Sequence, residues 1–330
     1  MAGWARHPAS TTAPTSKRSS RTASRRSSGS AGHCSARPEV DFGLILPSYR
    51  AGASVEGIEA ASEAAARLGW HSVFSTDHLL VEPSARSEDY YEIFDALSTV
   101  VHVAARQPSL RVGISVLVVP MRNAVELAKE LATIDVLSGG RLIVGVGGGW
   151  HQAEFGHLGL AERFGQRGAY INEAIAIWRH LWGGATTPFR GRFHDIEDFV
   201  FEPLPPQGAG LPIWFGGRAP AALQRAGRLG DGYQSSSTPP AAYAERIPVL
   251  REAAASAGRP MLSLSARVRV VPGEKSDEGY ALHGTPDQIR AGVAEWEAIG
   301  VTDLALYFEA VEPDAIVRQV EWFVREVAAA

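Results

Sequence analysis

From residue 40 onward, short apolar runs alternate with longer stretches whose apolar positions recur at helical spacing. The run at 40–46, VDFGLIL, has too few polar positions to alternate and predicts a strand buried on both faces, closed by Pro47. Residues 55–68 predict the helix that follows, ended by Gly69. The unit then repeats. Further strands are predicted at 71–75, 111–119, 141–146, 212–215, 232–235, 262–271 and 302–308. Helices are predicted at 91–106, 123–137, 163–182, 220–229, 241–257, 285–299 and 313–327. Thr285-Pro286 is a good cap and first-turn pair, and Ile171, Ile175, Trp178 and Leu181 line one face of the long helix. The stretch 183–210, with Pro203, Pro205 and Pro206, breaks the rhythm and predicts a short hairpin or surface excursion. About eight strands, each followed by a helix, predict an α/β fold, the (β/α)8 TIM barrel. A doubly wound sheet is the alternative, but no strand is followed by a dinucleotide fingerprint with an acid about 20 residues on.

Functional residues of a barrel gather at the carboxyl ends of its strands. The fourth strand runs into Gly147, Gly148 and Gly149, then Trp150, within LSGGRLIVGVGGGWHQAEF (137–155). Such glycines let a flat ligand approach the backbone, although a tight strand-to-helix turn uses them too. The second strand ends at Asp77 and His78. His78 is the candidate for proton transfer, since imidazole titrates near neutrality; capping the strand through a backbone hydrogen bond is the other reading. Asp77 could orient or charge it, though neighbours on an extended chain point apart and a structural role stays open. Gly216-Gly217-Arg218 opens a helix whose free N–H groups and dipole favour a phosphate, with Ser236 as a further hydroxyl. Tyr49, Trp150 and Trp214 are available to stack on a ring or to pack in the core. Asp135 and Arg141 bracket a turn on the opposite face and read as a structural pair. No metal site is expected: His151 and His157 are six apart, and neither a Gly-x-Ser-x-Gly elbow nor a Walker loop is present.

Composition narrows the classes further. The 330-residue chain is 45% hydrophobic and 21% charged, enough for a sizeable core. Its net charge is −4, but residues 1–38 carry Lys17 and six arginines with no acid, which leaves the remainder near −11. An acidic body argues against nucleic acid as a partner. The Ser- and Arg-rich tail lacks the apolar residues to fold and is expected to be disordered, leaving 39–330 as one domain. Arg25-Arg26 resembles a twin-arginine signal, yet no apolar segment follows, so export is set aside. No stretch approaches a membrane span, and Cys34 is the single cysteine, so a soluble protein of the reducing cytoplasm is expected.

Several stretches together carry a family resemblance: VDFGLILPS, STDH, VLVVPMRNAVELAKELATIDVLSGGRLIVGVGGGWHQAEF and LPIWFGGRAPAALQRAGRLGDGY. The chain resembles the luciferase-like monooxygenase superfamily, and within it the coenzyme F420-dependent oxidoreductases of actinobacteria. The resemblance implies F420, or alternatively FMN, at the carboxyl mouth of the barrel. It also implies a non-proline cis peptide at Ser115-Val116 that bulges against the ring. The cofactor would be held by Ser115, Val116, Gly147, Gly148 and Trp150, with Gly216, Gly217 and Ser236 at its phosphate and His78 with Asp77 beside ring and substrate. The reaction implied is hydride transfer to or from a small organic substrate; the alternatives are an FMN-dependent monooxygenase using oxygen and a non-catalytic flavin-binding barrel. A homodimer is expected. The F420-dependent sugar-phosphate dehydrogenases carry a catalytic glutamate where this chain has Trp150, so that substrate is not carried over. Glu154, one helical turn on, is either its substitute or a helix-start acid.

Overall fold

Eight strands pair in parallel, each with the next, and the eighth returns to the first. They are β1 (Asp41–Ile45), β2 (Ser72–Ser75), β3 (Arg111–Ile114), β4 (Leu142–Gly147), β5 (Ile213–Gly216), β6 (Gly232–Ser236), β7 (Ser263–Pro272) and β8 (Asp303–Tyr307). Register is fixed around the ring, for example Gly43 beside Ser72, Trp214 beside Gly232 and Asp41 beside Asp303. The helices that cover them are α1 (Val55–Arg67), α2 (Ala96–Arg106), α3 (Ala124–Leu137), α4 (Ala161–Trp182), α5 (Pro220–Leu229), α6 (Ile247–Ser256), α7 (Pro286–Ala298) and α8 (Pro313–Phe323). This is the closed (β/α)8 barrel, seen in a computed structural model that describes residues 40–84, 86–273 and 279–328. The tail read as disordered lies outside those residues. A two-stranded hairpin, Phe189–Arg190 with Asp195–Ile196, occupies the stretch that broke the sequence rhythm. No helix among the described residues is long and apolar enough to cross a membrane.

Four local readings change, each for a physical reason. Helix α2 begins at Ala96 rather than 91 because the Asp95 carboxylate accepts the Ser98 N–H at 2.8 Å and caps it there. The third strand stops at Ile114, where the Ser115–Val116 peptide is cis, and resumes as Leu117–Val118 against Val146 and Gly147 of β4. The helix expected at 241–257 is two helices, Pro240–Ala244 and α6, with Pro248 in the first turn of the second, where its missing N–H costs nothing. Asp135 and Arg141 do not pair. The Asp135 carboxylate accepts from the Gln207 side chain at 2.8 Å, and Arg141 instead donates to carbonyls of Ala104, Gln107, Leu110 and Ser138.

Most of the core lies between strands and helices, but a second core fills the barrel itself: Ile45, Phe74, Ile143, Trp214 and Ala305. Side chains alternate along a strand, so residues two apart from these also point inward. One step toward the mouth the interior becomes polar. Ser115 Oγ donates to Gln234 Oε1 at 2.6 Å, and Gln234 Nε2 donates to Ser265 Oγ at 3.1 Å. The barrel thus has an apolar plug with a hydrogen-bonded layer above it. Its tightest point is Gly145, where a Cβ would fall 1.9 Å from the Ile114 carbonyl oxygen, a backbone atom that cannot swing aside. Gly145→Ala is therefore expected to cost at least about 2 kcal/mol of stability by overpacking, measurable by urea denaturation at neutral pH.

Candidate active site

The polypeptide leaves β2 through Thr76, Asp77 and His78, all buried. His78 Nδ1 lies 2.9 Å from Glu154 Oε2, and the other oxygen of that carboxylate accepts the N–H groups of Leu79 at 2.5 Å and Leu80 at 3.2 Å. Glu154 is 1% exposed and sits in the short helix Gln152–His157 after β4. Burial would push its carboxyl pKa up, but the hydrogen bond and charge of His78 and the two backbone N–H groups outweigh this and hold it below the ordinary value of 4.5. The carboxylate is therefore ionised at neutral pH and can only accept. That fixes the proton on Nδ1 and leaves Nε2 as the nitrogen free to exchange one. The His78 ring packs 4.2 Å from the Tyr90 ring and edge-on to Trp150 at 5.6 Å, while Arg86 covers Trp150 at 4.1 Å.

Asp77 points elsewhere, as neighbours on an extended chain do. Its Oδ2 accepts from Val118 N–H and Arg122 Nη1, each at 2.8 Å, and its Oδ1 from Arg122 Nη2 at 2.7 Å. The fork clamps the strand just past the cis peptide. Asp77→Asn would leave the largely buried Arg122 without its bidentate partner, and a loss of about 3 kcal/mol is expected on denaturant unfolding. The same substitution should change turnover per folded molecule little; a large fall would restore Asp77 to the chemistry.

The glycines have a use that sequence alone did not reveal. A Cβ on Gly147 would meet Val116 Cγ2 at 2.6 Å, and one on Gly216 would meet Val116 Cγ1 at 3.1 Å. Much of the missing bulk on β4 and β5 makes room for Val116, which follows Ser115 across the cis peptide. Gly148 is less constrained, with Arg167 Cδ at 3.6 Å from such a Cβ. Gly217 adopts φ +115, a conformation reserved for glycine. Helix α5 begins three residues later with Ala219 as its N-cap, which offers no side-chain capping bond; Pro220 has no N–H, and the Ala222 and Leu223 N–H groups donate to the Ala219 carbonyl at 2.8 and 3.1 Å, leaving the Ala221 N–H as the first-turn donor outside these bonds. The neighbouring loop is tied in: Tyr233 hydroxyl donates to Gly217 O at 2.9 Å, and Arg246 Nη1 donates to Tyr233, Ser235 and Thr238 hydroxyls. Ser236, exposed, stands at the rim beside Ser237.

Three residues of the mouth went unnamed in the sequence reading: Gln234, Tyr90 and Arg267. The last shares its strand with a second arginine, Arg269, and residues two apart on a strand lie on one face, which is the signal that could have singled it out. Trp214, offered for ring stacking, lies instead in the apolar plug. At the opposite end of the barrel, Asp41, His71 and Asp303 bring ligand atoms within 4.8 Å of one another, beside a cavity of about 350 Å³ lined by Trp70 and Phe42.

Comparison with known proteins gives the family and agrees with the fold. Residues 40–280 match the family described as luciferase-like monooxygenase. An F420-dependent glucose-6-phosphate dehydrogenase of Microbacterium testaceum is 32% identical over 229 residues, 67% of this chain and 65% of that protein. The corresponding enzyme of Amycolatopsis mediterranei is 29% identical over 249 residues, 73% of each chain. Among solved structures, the coenzyme F420-dependent tetrahydromethanopterin reductase of Methanopyrus kandleri superposes with a TM-score of 0.72 at 18% identity, over 88% of this chain and 99% of that one. The chain belongs to the luciferase-like monooxygenase family.

Proposed function

We propose that this protein is an F420-dependent oxidoreductase that moves a hydride between the deazaflavin and a small organic substrate at the barrel mouth. One observation carries the reading: His78, held by a buried ionised glutamate, opens onto a mouth floored by the Val116 bulge and rimmed by an uncapped helix terminus. F420-dependent relatives at about 30% identity support the choice of cofactor.

The residues fit such a cofactor. Val116, half-buried on its bulge, offers an apolar face to a ring, flanked by Ser115, Gly147, Gly148 and Trp150. Gly216, Gly217, the Ala221 N–H at the start of α5 and the Ser236 hydroxyl would supply donors for a phosphate, and the cationic Arg246, bonded to hydroxyls in this loop, adds favourable charge behind them. When bound, F420 supplies a carbon that gives or takes a hydride and reacts poorly with oxygen. The protein manages the proton. His78 Nε2 delivers it to, or removes it from, the substrate oxygen, while Glu154 accepts from Nδ1–H and holds the ring in place. Glu154 is a positioning residue here, since both its oxygens are engaged by His78 and the backbone. Tyr90 and Trp150 enclose the imidazole and keep bulk water from it.

The test is anaerobic mixing of the protein with reduced F420 and a panel of ketones, aldehydes and enones. Cofactor oxidation that requires both protein and an acceptor supports the reading. Oxygen uptake with reduced FMN, and no reaction with F420, would replace it with monooxygenation.

A further inference from the structure

A cation inside a protein needs a partner, because it loses hydration that must be recovered. Arg269, on the inward face of β7, has one in Glu309 at 2.8 Å. Arg267, two residues earlier on the same face, has only neutral ones. Its Nη1 donates to the Ser115 carbonyl oxygen at 2.8 Å and its Nη2 to the Tyr49 hydroxyl at 2.7 Å. Its Cζ lies 5.5 Å from the Tyr49 ring and 5.4 Å from the Tyr307 ring. Among the described residues no carboxylate pairs with it. Burial works against its charge, but the phenols of Tyr49, Tyr90 and Tyr307 more than offset this and hold the guanidinium above its usual range. The side chain keeps some accessible surface, and its place one step above the Gln234–Ser265 layer turns that surface toward the mouth.

We propose that Arg267 receives a carboxylate of the substrate. One uncompensated cation matches one negative charge, and the planar guanidinium fork matches the two coplanar oxygens of a carboxylate. The wall between this point and His78 is aromatic: Tyr49 stacks on Tyr90 at 5.8 Å, and Tyr90 meets the His78 ring at 4.2 Å. A flat unsaturated acid anchored on Arg267 lies along that wall with its reacting end toward His78 Nε2. This assignment rests on the proposed use of the mouth as the substrate site. It separates the chain from the phosphorylated sugar named for its relatives, since a phosphate dianion would leave charge unmatched at a single guanidinium.

The probe is benzoate, with benzamide as its neutral isostere and inorganic phosphate as the competing anion, titrated by calorimetry into the full chain with and without saturating F420. Benzoate is expected to bind at least tenfold tighter than benzamide or phosphate, with F420 present. Arg267→Gln should weaken it 10- to 100-fold, and Arg267→Lys, which keeps the charge but loses the fork, about tenfold. Melting curves of both variants report whether they fold, and either one suffices to decide. Equal affinity for benzoate and benzamide, phosphate preferred, or unchanged benzoate affinity in the folded variants overturns the assignment. So does exclusion of benzoate by F420, which would give the anion site to the cofactor. Tight F420 binding together with any of these leaves the hydride-transfer reading standing, whereas failure of both F420 and FMN to bind is a failure of that reading.

Discussion

His78→Ala is expected to lower kcat by about 10²- to 10⁴-fold, the span of a lost general acid or base, while F420 affinity stays nearly intact. The split follows from placement. His78 lies at the end of β2 against Tyr90 and Trp150, whereas the phosphate cradle proposed for the cofactor is built from the ends of β5 and β6 and is tied together by Tyr233 and Arg246. A pure loss in kcat locates the proton step at this ring. Turnover within threefold of wild type, measured by steady-state oxidation of reduced F420, would remove His78 from the chemistry.

Glu154→Gln should cost nearly as much in turnover, by a different route. The carboxylate selects the Nδ1–H tautomer; the amide can present an N–H to Nδ1 instead and hold the proton on the wrong nitrogen, a fault worth about 10³ or more where an orienting acid is neutralised. Stability changes as well. Glu154 accepts three hydrogen bonds inside the protein, and its amide leaves at least one donor unsatisfied, so about 1 to 3 kcal/mol should be lost at neutral pH. The sign of the pH dependence follows from the depressed carboxyl. A group whose folded pKa lies below its unfolded one stabilises fully above the unfolded value and loses that contribution as pH falls through the folded value. Wild type should therefore lose stability below the ordinary glutamate value of 4.5 by more than Glu154→Gln does, and the two melting curves should converge in acid. Parallel curves over that range would mean that the carboxylate is not ionised in the folded protein.

The sequence made the barrel legible because a parallel barrel repeats one signal: near-continuous apolar runs, glycine or proline stops, and helices with one apolar face. It directs the candidate site to the strand ends for the same reason. His78 and the glycine pairs stood out because strand-end position and residue type coincide there, whereas Ser115 and Val116 came from the family resemblance. Partnership between them was less visible. Glu154 and His78 are 76 residues apart, and no local spacing distinguishes an acid that reaches back across the mouth from one that merely starts a helix. Asp77 shows the converse: adjacency to His78 suggested cooperation, yet strand alternation turns it to Arg122, 45 residues on. The glycines of β4 and β5 were noted as space for a ligand, but much of that space is filled by Val116 of the same chain, which follows the cis peptide that the family resemblance implied.

Calorimetric titration of the purified full chain with oxidised F420, and separately with FMN under identical conditions, bears most directly on the proposed chemistry. Saturable binding of F420 with FMN at least tenfold weaker is the expected result. Preference for FMN would contradict it and make oxygen, not an organic acceptor, the partner of the bound cofactor.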